Sequence, residues 1–178
     1  GPAFGAKKNV VLFVTDDQSP DAGCYGNSVI KTPNLDLLAA GSTRFDRAFC
    51  TTASCSASRS VILTGIFNHA NAQYGHEHTY HHFRTYDRIR SLPVLMAAAG
   101  YQTIRVGKFH VGPEPVYHFE TALKASSRNP VQMAERVRTT LRERSDDRPF
   151  FLFFCTSDPH RGGGKASELP HGPDRFGN

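Results

Sequence analysis

Asn9 to Thr15 (NVVLFVT) is an unbroken run of aliphatic, β-branched and aromatic residues that stops at Asp16-Asp17. A short continuous apolar run of this kind predicts a fully buried parallel strand, here one that delivers two carboxylates at its C-terminal end. Pro149 to Cys155 repeats the pattern and leads into Ser157-Asp158-Pro159-His160. Tyr101 to Val106 reads as another strand, running into Gly107-Lys108-Phe109-His110, and Arg44 to Phe49 as one more.

Between these runs the apolar spacing becomes helical. Thr32-Pro33 offers an N-cap and a proline at the first helical position, Leu35, Leu38 and Ala39 form an apolar face, and Gly41 closes the segment. Ser58 to Leu63 reads as the first turns of a helix ended by Gly65, with Cys55 at or just before its N-terminus. Leu92 to Ala99 is followed by Gly100 in the position that terminates helices, and Asn129-Pro130 caps a longer helix with Val131, Ala134, Val137 and Leu141 at helical spacing. Strands alternating with helices predict an α/β fold with a mostly parallel sheet covered on both faces. Residues 161–178 read as loop.

Composition narrows the class. A chain of 178 residues with 39% apolar and 11% aromatic residues can bury the core of one domain, which argues against disorder. No apolar run approaches the roughly 18 residues of a membrane span, and the longest, Phe150 to Cys155, suits a strand. The formal charge of +5 and pI of about 9.2 suit an anionic partner. The basic residues are scattered, however, and the Arg136, Arg138, Arg142, Arg144 group is interleaved with Glu135 and Glu143. That makes it a solvated helix face, and no nucleic-acid partner is expected. Cys24, Cys50, Cys55 and Cys155 lack the spacing of a disulfide scaffold or a paired zinc site, so buried thiols are the expectation for about three of them. The start at Gly1-Pro2 makes residues 1–8 read as leader or added residues, with a removed signal peptide and a periplasmic or secreted location as the expectation.

Three predicted strand ends carry ionisable groups: Asp16 and Asp17, Lys108 and His110, Asp158 and His160. A parallel sheet gathers such ends along one edge, where α/β proteins bind ligands, facing the turn that holds Cys55 and Arg59. Adjacent carboxylates repel unless a cation or strong hydrogen bonds hold them, and oxygen-rich sites favour calcium or magnesium; an Asp-Asp pair also begins turns. Cys55 at a helix N-terminus is either an activated thiolate or an inert buried thiol, and residue chemistry alone leaves both open.

Cys55-Ser56-Ala57-Ser58-Arg59, followed by Ser60-Val61-Ile62-Leu63-Thr64-Gly65, resembles the signature of the formylglycine-dependent sulfatases, with alanine where many members carry proline. Gly107-Lys108-Phe109-His110-Val111-Gly112-Pro113-Glu114, His81-His82-Phe83, Arg90-Ser91-Leu92-Pro93, Asp147-Arg148-Pro149-Phe150-Phe151 and Asp158-Pro159-His160-Arg161 resemble its sulfamidase branch, which acts on N-sulfoglucosamine of heparan sulfate. The likeness runs in order over residues 9–178. It implies the N-terminal portion of an alkaline-phosphatase-like α/β/α sandwich. It also implies an enzyme that hydrolyses N-sulfo or O-sulfo groups of a sulfated saccharide, after a maturation enzyme oxidises Cys55 to formylglycine.

By the same resemblance Asp16, Asp17 and the modified Cys55 are ligands of Ca2+, with Mg2+ as the alternative. Arg59 holds the hydrated aldehyde, Lys108 bridges it to the sulfo group, His110 helps deprotonate it, and His160 assists the leaving group. A geminal diol attacks sulfur and afterwards releases sulfate by re-forming the aldehyde, a route that a serine ester lacks. Family members are longer, and their further metal ligands, an Asp-Asn pair, have no counterpart here, so a C-terminal remainder is expected and the 178 residues alone are expected to be inactive or weakly metal-binding. A phosphodiesterase or phosphonate hydrolase on the same scaffold, or a non-catalytic binding relative with unmodified Cys55, are the alternative classes. His76, His78, His81 and His82 invite a zinc reading but match no familiar zinc spacing; a substrate-pocket wall from His81 or His82 ranks above it, and solvated loop histidines make up the rest.

Overall fold

The computed structural model describes residues 7–78, 80–145 and 147–160. Strand β1 (Val10–Asp16) is followed by helices α1 (Pro33–Ala40), α2 (Cys55–Thr64), α3 (Asn68–Asn71) and α4 (Leu92–Ala98). Then come β2 (Gln102–Gly107), β3 (Thr121–Leu123), α5 (Pro130–Glu143) and β4 (Phe150–Pro159). The strands form one sheet in the order β1-β4-β2-β3, and every recorded pairing is parallel. The loop reading of residues 161–178 lies outside the described residues.

The side-chain alternation of β4 divides the core in two. Phe151, Phe153 and Cys155 point to the face shared with Leu63 of α2, Val116, Tyr117 and Phe119, against which Leu92 and Met96 of α4 pack. Leu152 and Phe154 point to the other face, where Ile104 and Val106 meet Met133 and Val137 of α5. A strand of ten residues apolar on both sides is what a doubly covered central position requires. The sheet is therefore the central layer of an α/β/α arrangement.

Several expectations are corrected. Among the described residues β1 is an edge strand rather than a fully buried one: Leu12 and Val14 pack on the α2 side, while Val11 and Phe13, at 56% and 57% exposure, lie on the other face, with the Phe13 ring stacked on Phe154. Arg44 to Phe49 forms no strand; it is exposed throughout, held by Arg44 hydrogen bonds to Asp46 and to the Cys24 carbonyl. Leu35 and Leu38 are exposed, because α1 packs against the turn at Gly23–Tyr25 and buries no residue. On α5 the inward residues are Met133 and Val137, with Val131 turned outward. The short strand β3 was not anticipated.

Asn129 and Gly65 cap as expected, whereas Thr32 stands before α1 without a side-chain capping bond. The Asn129 side chain accepts from the Gln132 N–H at 2.9 Å, and Gly65 ends α2 in the left-handed conformation at φ 67°. Gly107 at φ 85° turns the chain out of β2, and a Cβ there would lie 2.0 Å from the Cys155 carbonyl oxygen and 2.5 Å from Met133 Cε. Glycine is thus the residue that lets β2 close on β4, with the Lys108 N–H donating to the Cys155 carbonyl at 2.8 Å. Gly107→Ala should lower stability by roughly 2–4 kcal/mol, combining left-handed backbone strain with overpacking, as read by urea unfolding.

Candidate active site

The C-terminal ends of β1, β4 and β2 lie side by side. The β1–β4 register shifts between Val14 and Asp16, an irregularity that re-aims Asp16 opposite Pro159. Asp16 is 4% exposed and Arg59, from the first turns of α2, is 2% exposed. Arg59 Nη2 meets Asp16 Oδ1 at 3.2 Å and its Nη1 donates to the Lys108 carbonyl at 3.0 Å. Lys108 Nζ donates to Asp16 Oδ2 and lies 3.6 Å from Cys55 Sγ. Residues from β1, α2 and the turn after β2 thus share one charge network, as the strand-end reading anticipated.

Cys55 is the first residue of α2, so the partial positive charge of a ten-residue helix is directed at position 55. A lattice of buried amides fixes that helix. Asn68 Nδ2 donates to the Ala57 carbonyl at 2.9 Å and to the Gln73 carbonyl at 2.7 Å, and Asn71 Nδ2 donates to Ser60 Oγ at 3.1 Å. Thr51 and Thr52 hydroxyls donate to Asn68 Oδ1 at 2.9 and 2.8 Å, tying the segment before Cys55 to the same lattice. Sequence reasoning missed these residues; asparagine and glutamine at such spacing look like loop residues until the fold buries them.

A cavity of about 550 Å³ opens over this network, lined by Asp16, Asp17, Cys55, Arg59, His76 and His160, with Cys50 and Gln18 at its border. Asp17 is exposed and held at φ 57°, and His110 at φ 60°. Left-handed backbone at non-glycine residues, Asp17 at this cavity and His110 in the turn after β2, is the strain that functional sites tend to store. Ligand atoms of Asp16, Cys55 and His160 lie within 4.8 Å of one another. His160 is positioned by Arg128, whose Nη1 donates to the His160 carbonyl at 3.0 Å and pairs with Asp158 Oδ1. The Ser157 N–H donates to the Ser127 carbonyl at 2.8 Å, joining the same turn to the residues before α5. Arg128 carried no sequence signal, because its partner lies on a strand end thirty residues away.

Other candidates sit elsewhere. His110 Nε2 lies 2.5 Å from His78 Nδ1, and its ring stacks on His78 and His76. His81 and His82 are exposed, His81 against the Phe83 ring, and neither lines the cavity. Of the thiols expected to be buried, Cys155 is; burial pushes it up to about 11 despite Arg59 nearby. Cys50 is exposed and Cys24 is half-buried.

Electrostatics follow from this packing. Burial opposes ionisation of Asp16, yet the Lys108 hydrogen bond and charge, together with Arg59, outweigh it and hold the carboxyl below its ordinary range. Burial, reinforced by Lys108 and the neighbouring imidazoles, lowers His110 to about 4. For a cation, the donors present are in part suitable: Asp16 and Asp17 supply hard carboxylate oxygens, and Asp16 already has its charge met by two side-chain cations. A thiol at position 55 is a soft ligand ill-suited to calcium, whereas an oxidised, hydrated side chain would offer oxygen. Asp16 fits one place in a calcium shell of six to eight oxygens, while Asp17 lines the cavity outside the Asp16, Cys55 and His160 group.

The family model named Sulfatase matches residues 8–177. The chain belongs to the sulfatase family. It is 41% identical to human N-sulphoglucosamine sulphohydrolase over 96% of its own length and 35% of that protein. It is 30% identical to the Ulvan-active sulfatase of Formosa agariphila over 95% of this chain and 33% of that one. Among solved structures, a complex with its substrate D-glucosamine-2-N,6-O-disulfate superposes with a TM-score of 0.73 at 26% identity, covering 87% of this chain and 35% of that chain. The phosphonate monoester hydrolase of Agrobacterium radiobacter shares the fold at a TM-score of 0.72 and 19% identity, over 87% of this chain and 42% of that one. The sulfatase chain described here therefore spans about a third of the length of the curated relatives it matches.

Two outcomes follow for this sulfatase site. Asp16→Asn strands the buried Arg59 cation and should cost about 3 kcal/mol at neutral pH, measured by urea unfolding. Because the Asp16 pKa is depressed, that contribution is complete above the ordinary value of 3.8 and disappears as pH falls through the lower folded-state value, so the gap between wild type and variant should close in acid. His110 stays neutral in the folded protein while an unfolded histidine protonates near 6.5, so stability should fall as pH drops from 6.5 towards about 4. His110→Gln should flatten that limb of the unfolding profile.

Proposed function

We propose that this chain carries the nucleophile-bearing part of a sulfatase active site that hydrolyses N-sulfo or O-sulfo groups of a sulfated saccharide, with the working side chain made from Cys55 by a formylglycine-generating enzyme. The observation that carries the reading is the Lys108 ammonium, held between the Asp16 carboxylate and Cys55 Sγ, with Arg59 buried behind them. A sulfo group brings negative charge, and more develops on its leaving atom as the S–N or S–O bond breaks. Fixed cations at the nucleophile are what that charge distribution needs.

The remaining roles are those that the family resemblance implies. Arg59 and the α2 N-terminus hold an oxygen at position 55, Lys108 reaches from that oxygen towards the sulfo group, and His160 at the cavity wall stands where a leaving nitrogen or oxygen would take a proton. His110 is assigned to the proton of the position 55 hydroxyl, which requires it to turn from His78. Asp16, Asp17 and the oxidised position 55 would hold Ca2+ or Mg2+, with further ligands from outside these residues, and the ion when bound would lower the charge at the reacting oxygens. The identity to N-sulphoglucosamine sulphohydrolase and the amino-sugar disulfate bound by the solved relative support a sulfated glucosamine as substrate. A periplasmic or secreted location is proposed with it, where such saccharides are met.

Co-expression with a formylglycine-generating enzyme should convert the Cys55 peptide from thiol to aldehyde, seen by mass spectrometry as loss of the sulfur. Cys55→Ala should abolish both the conversion and any release of sulfate from N-sulfoglucosamine or a 6-O-sulfated glucosamine. A Cys55 peptide that stays a thiol under these conditions contradicts the proposal. Turnover of a phosphonate or phosphate diester in preference to both sulfated sugars would move the reading to a phosphohydrolase.

A further inference from the structure

His76, His78 and His110 come together although they lie in separate stretches of chain. Their ligand nitrogens are within 4.8 Å of one another, and the ring centroids are 5.0, 5.8 and 4.6 Å apart for the pairs 76–78, 76–110 and 78–110. His76 Nδ1 and His110 Nδ1 are buried atoms without a hydrogen-bond partner, and His110 meets His78 through its other nitrogen, Nε2. The backbones that carry them are fixed. The Glu77 N–H donates to Ser56 Oγ at 3.1 Å, the Phe83 N–H donates to the His76 carbonyl at 3.1 Å, and His110 follows the Gly107 turn.

We propose that His76, His78 and His110 form a zinc site, distinct from the oxygen site at Asp16 and Asp17. Three imidazoles and no carboxylate make a donor set that suits Zn2+ and is poor for Ca2+. Zn–N bonds of about 2.0–2.1 Å place the nitrogens of a tetrahedral site roughly 3.3 Å apart, inside the 4.8 Å within which the three lie here. His78 is exposed, which gives an entry path and leaves the fourth position to water. The Lys108 ammonium opposes a further positive charge at His110, but it is already paired with Asp16. On the sulfatase reading, zinc would also withdraw His110 from position 55, so zinc occupancy and turnover would exclude each other; the binding itself does not depend on that reading.

The test is zinc content and calorimetric titration with Zn2+ in Cys55→Ser protein, which removes the thiol as a competing ligand. One Zn2+ per chain is expected after gel filtration, with affinity reduced about tenfold or more in both His76→Ala and His78→Ala and unchanged in His81→Ala. Because His78 is exposed, its alanine variant should remain folded, and circular dichroism of that variant verifies this. Absence of saturable uptake, or uptake equal in the wild-type, His76→Ala and His78→Ala chains, overturns the proposal. So does an equal loss in His81→Ala, which would indicate diffuse binding by loop histidines.

Discussion

A guanidinium buried as fully as that of Arg59 has to meet a carboxylate, and in this protein that carboxylate is Asp16. The pairing sets much of the remaining geometry. Asp16 can reach Arg59 because β1 shifts register at its end, and Arg59 can reach Asp16 because α2 begins at Cys55 and turns its fifth residue inward. Lys108 completes the neutralisation from a third element, and in doing so brings an ammonium to the thiol of Cys55. An isolated buried ion pair gains little over a well-packed apolar pair. Its presence here is better explained by the cationic corner it builds beside position 55.

The scaffold around this corner is rigid on both sides. β4 stands between two apolar clusters and carries its C-terminal residues to the same edge as Asp16 and Lys108. Gly107 permits β2 to close on the Cys155 carbonyl, so that the chain leaves the sheet at the point where Lys108 must begin. The amides of Asn68 and Asn71 fasten α2 from below, which adds directional bonds that leave the helix carrying Cys55 little freedom to slide.

A second consequence of the edge is the meeting of unlike donor sets. Asp16, Cys55 and His160 form one corner, while three imidazoles gather in a second group of which His76 lines the same cavity. His110 belongs by sequence to the turn after β2 and by contact to the His76–His78 loop, so it couples the two. Burial, and after it the charge of Lys108, favours its neutral form.

Much of the site was legible in the chain itself. Continuous apolar runs ending at Asp16, Gly107 and Ser157 marked strands, parallel pairing required their C-terminal ends to share an edge, and the Cys55 to Arg59 segment placed a helix N-terminus against it. Those are local or periodic signals, and period and capping survive in sequence because they depend on neighbours three or four residues away. What covers each strand depends on elements far along the chain, so the apolar run at Val10 to Val14 read as buried though no described helix packs over Val11 and Phe13. The apolar stripe of α1 and the strand at Arg44 to Phe49 failed for the same reason, since each lacked a partner to pack or pair with. The Arg128 clamp on Asp158, and the turn of His110 towards His76 and His78 rather than towards His81 and His82, were decided by tertiary structure alone, because backbone direction at a left-handed residue determines which distant side chains a short polar group can reach.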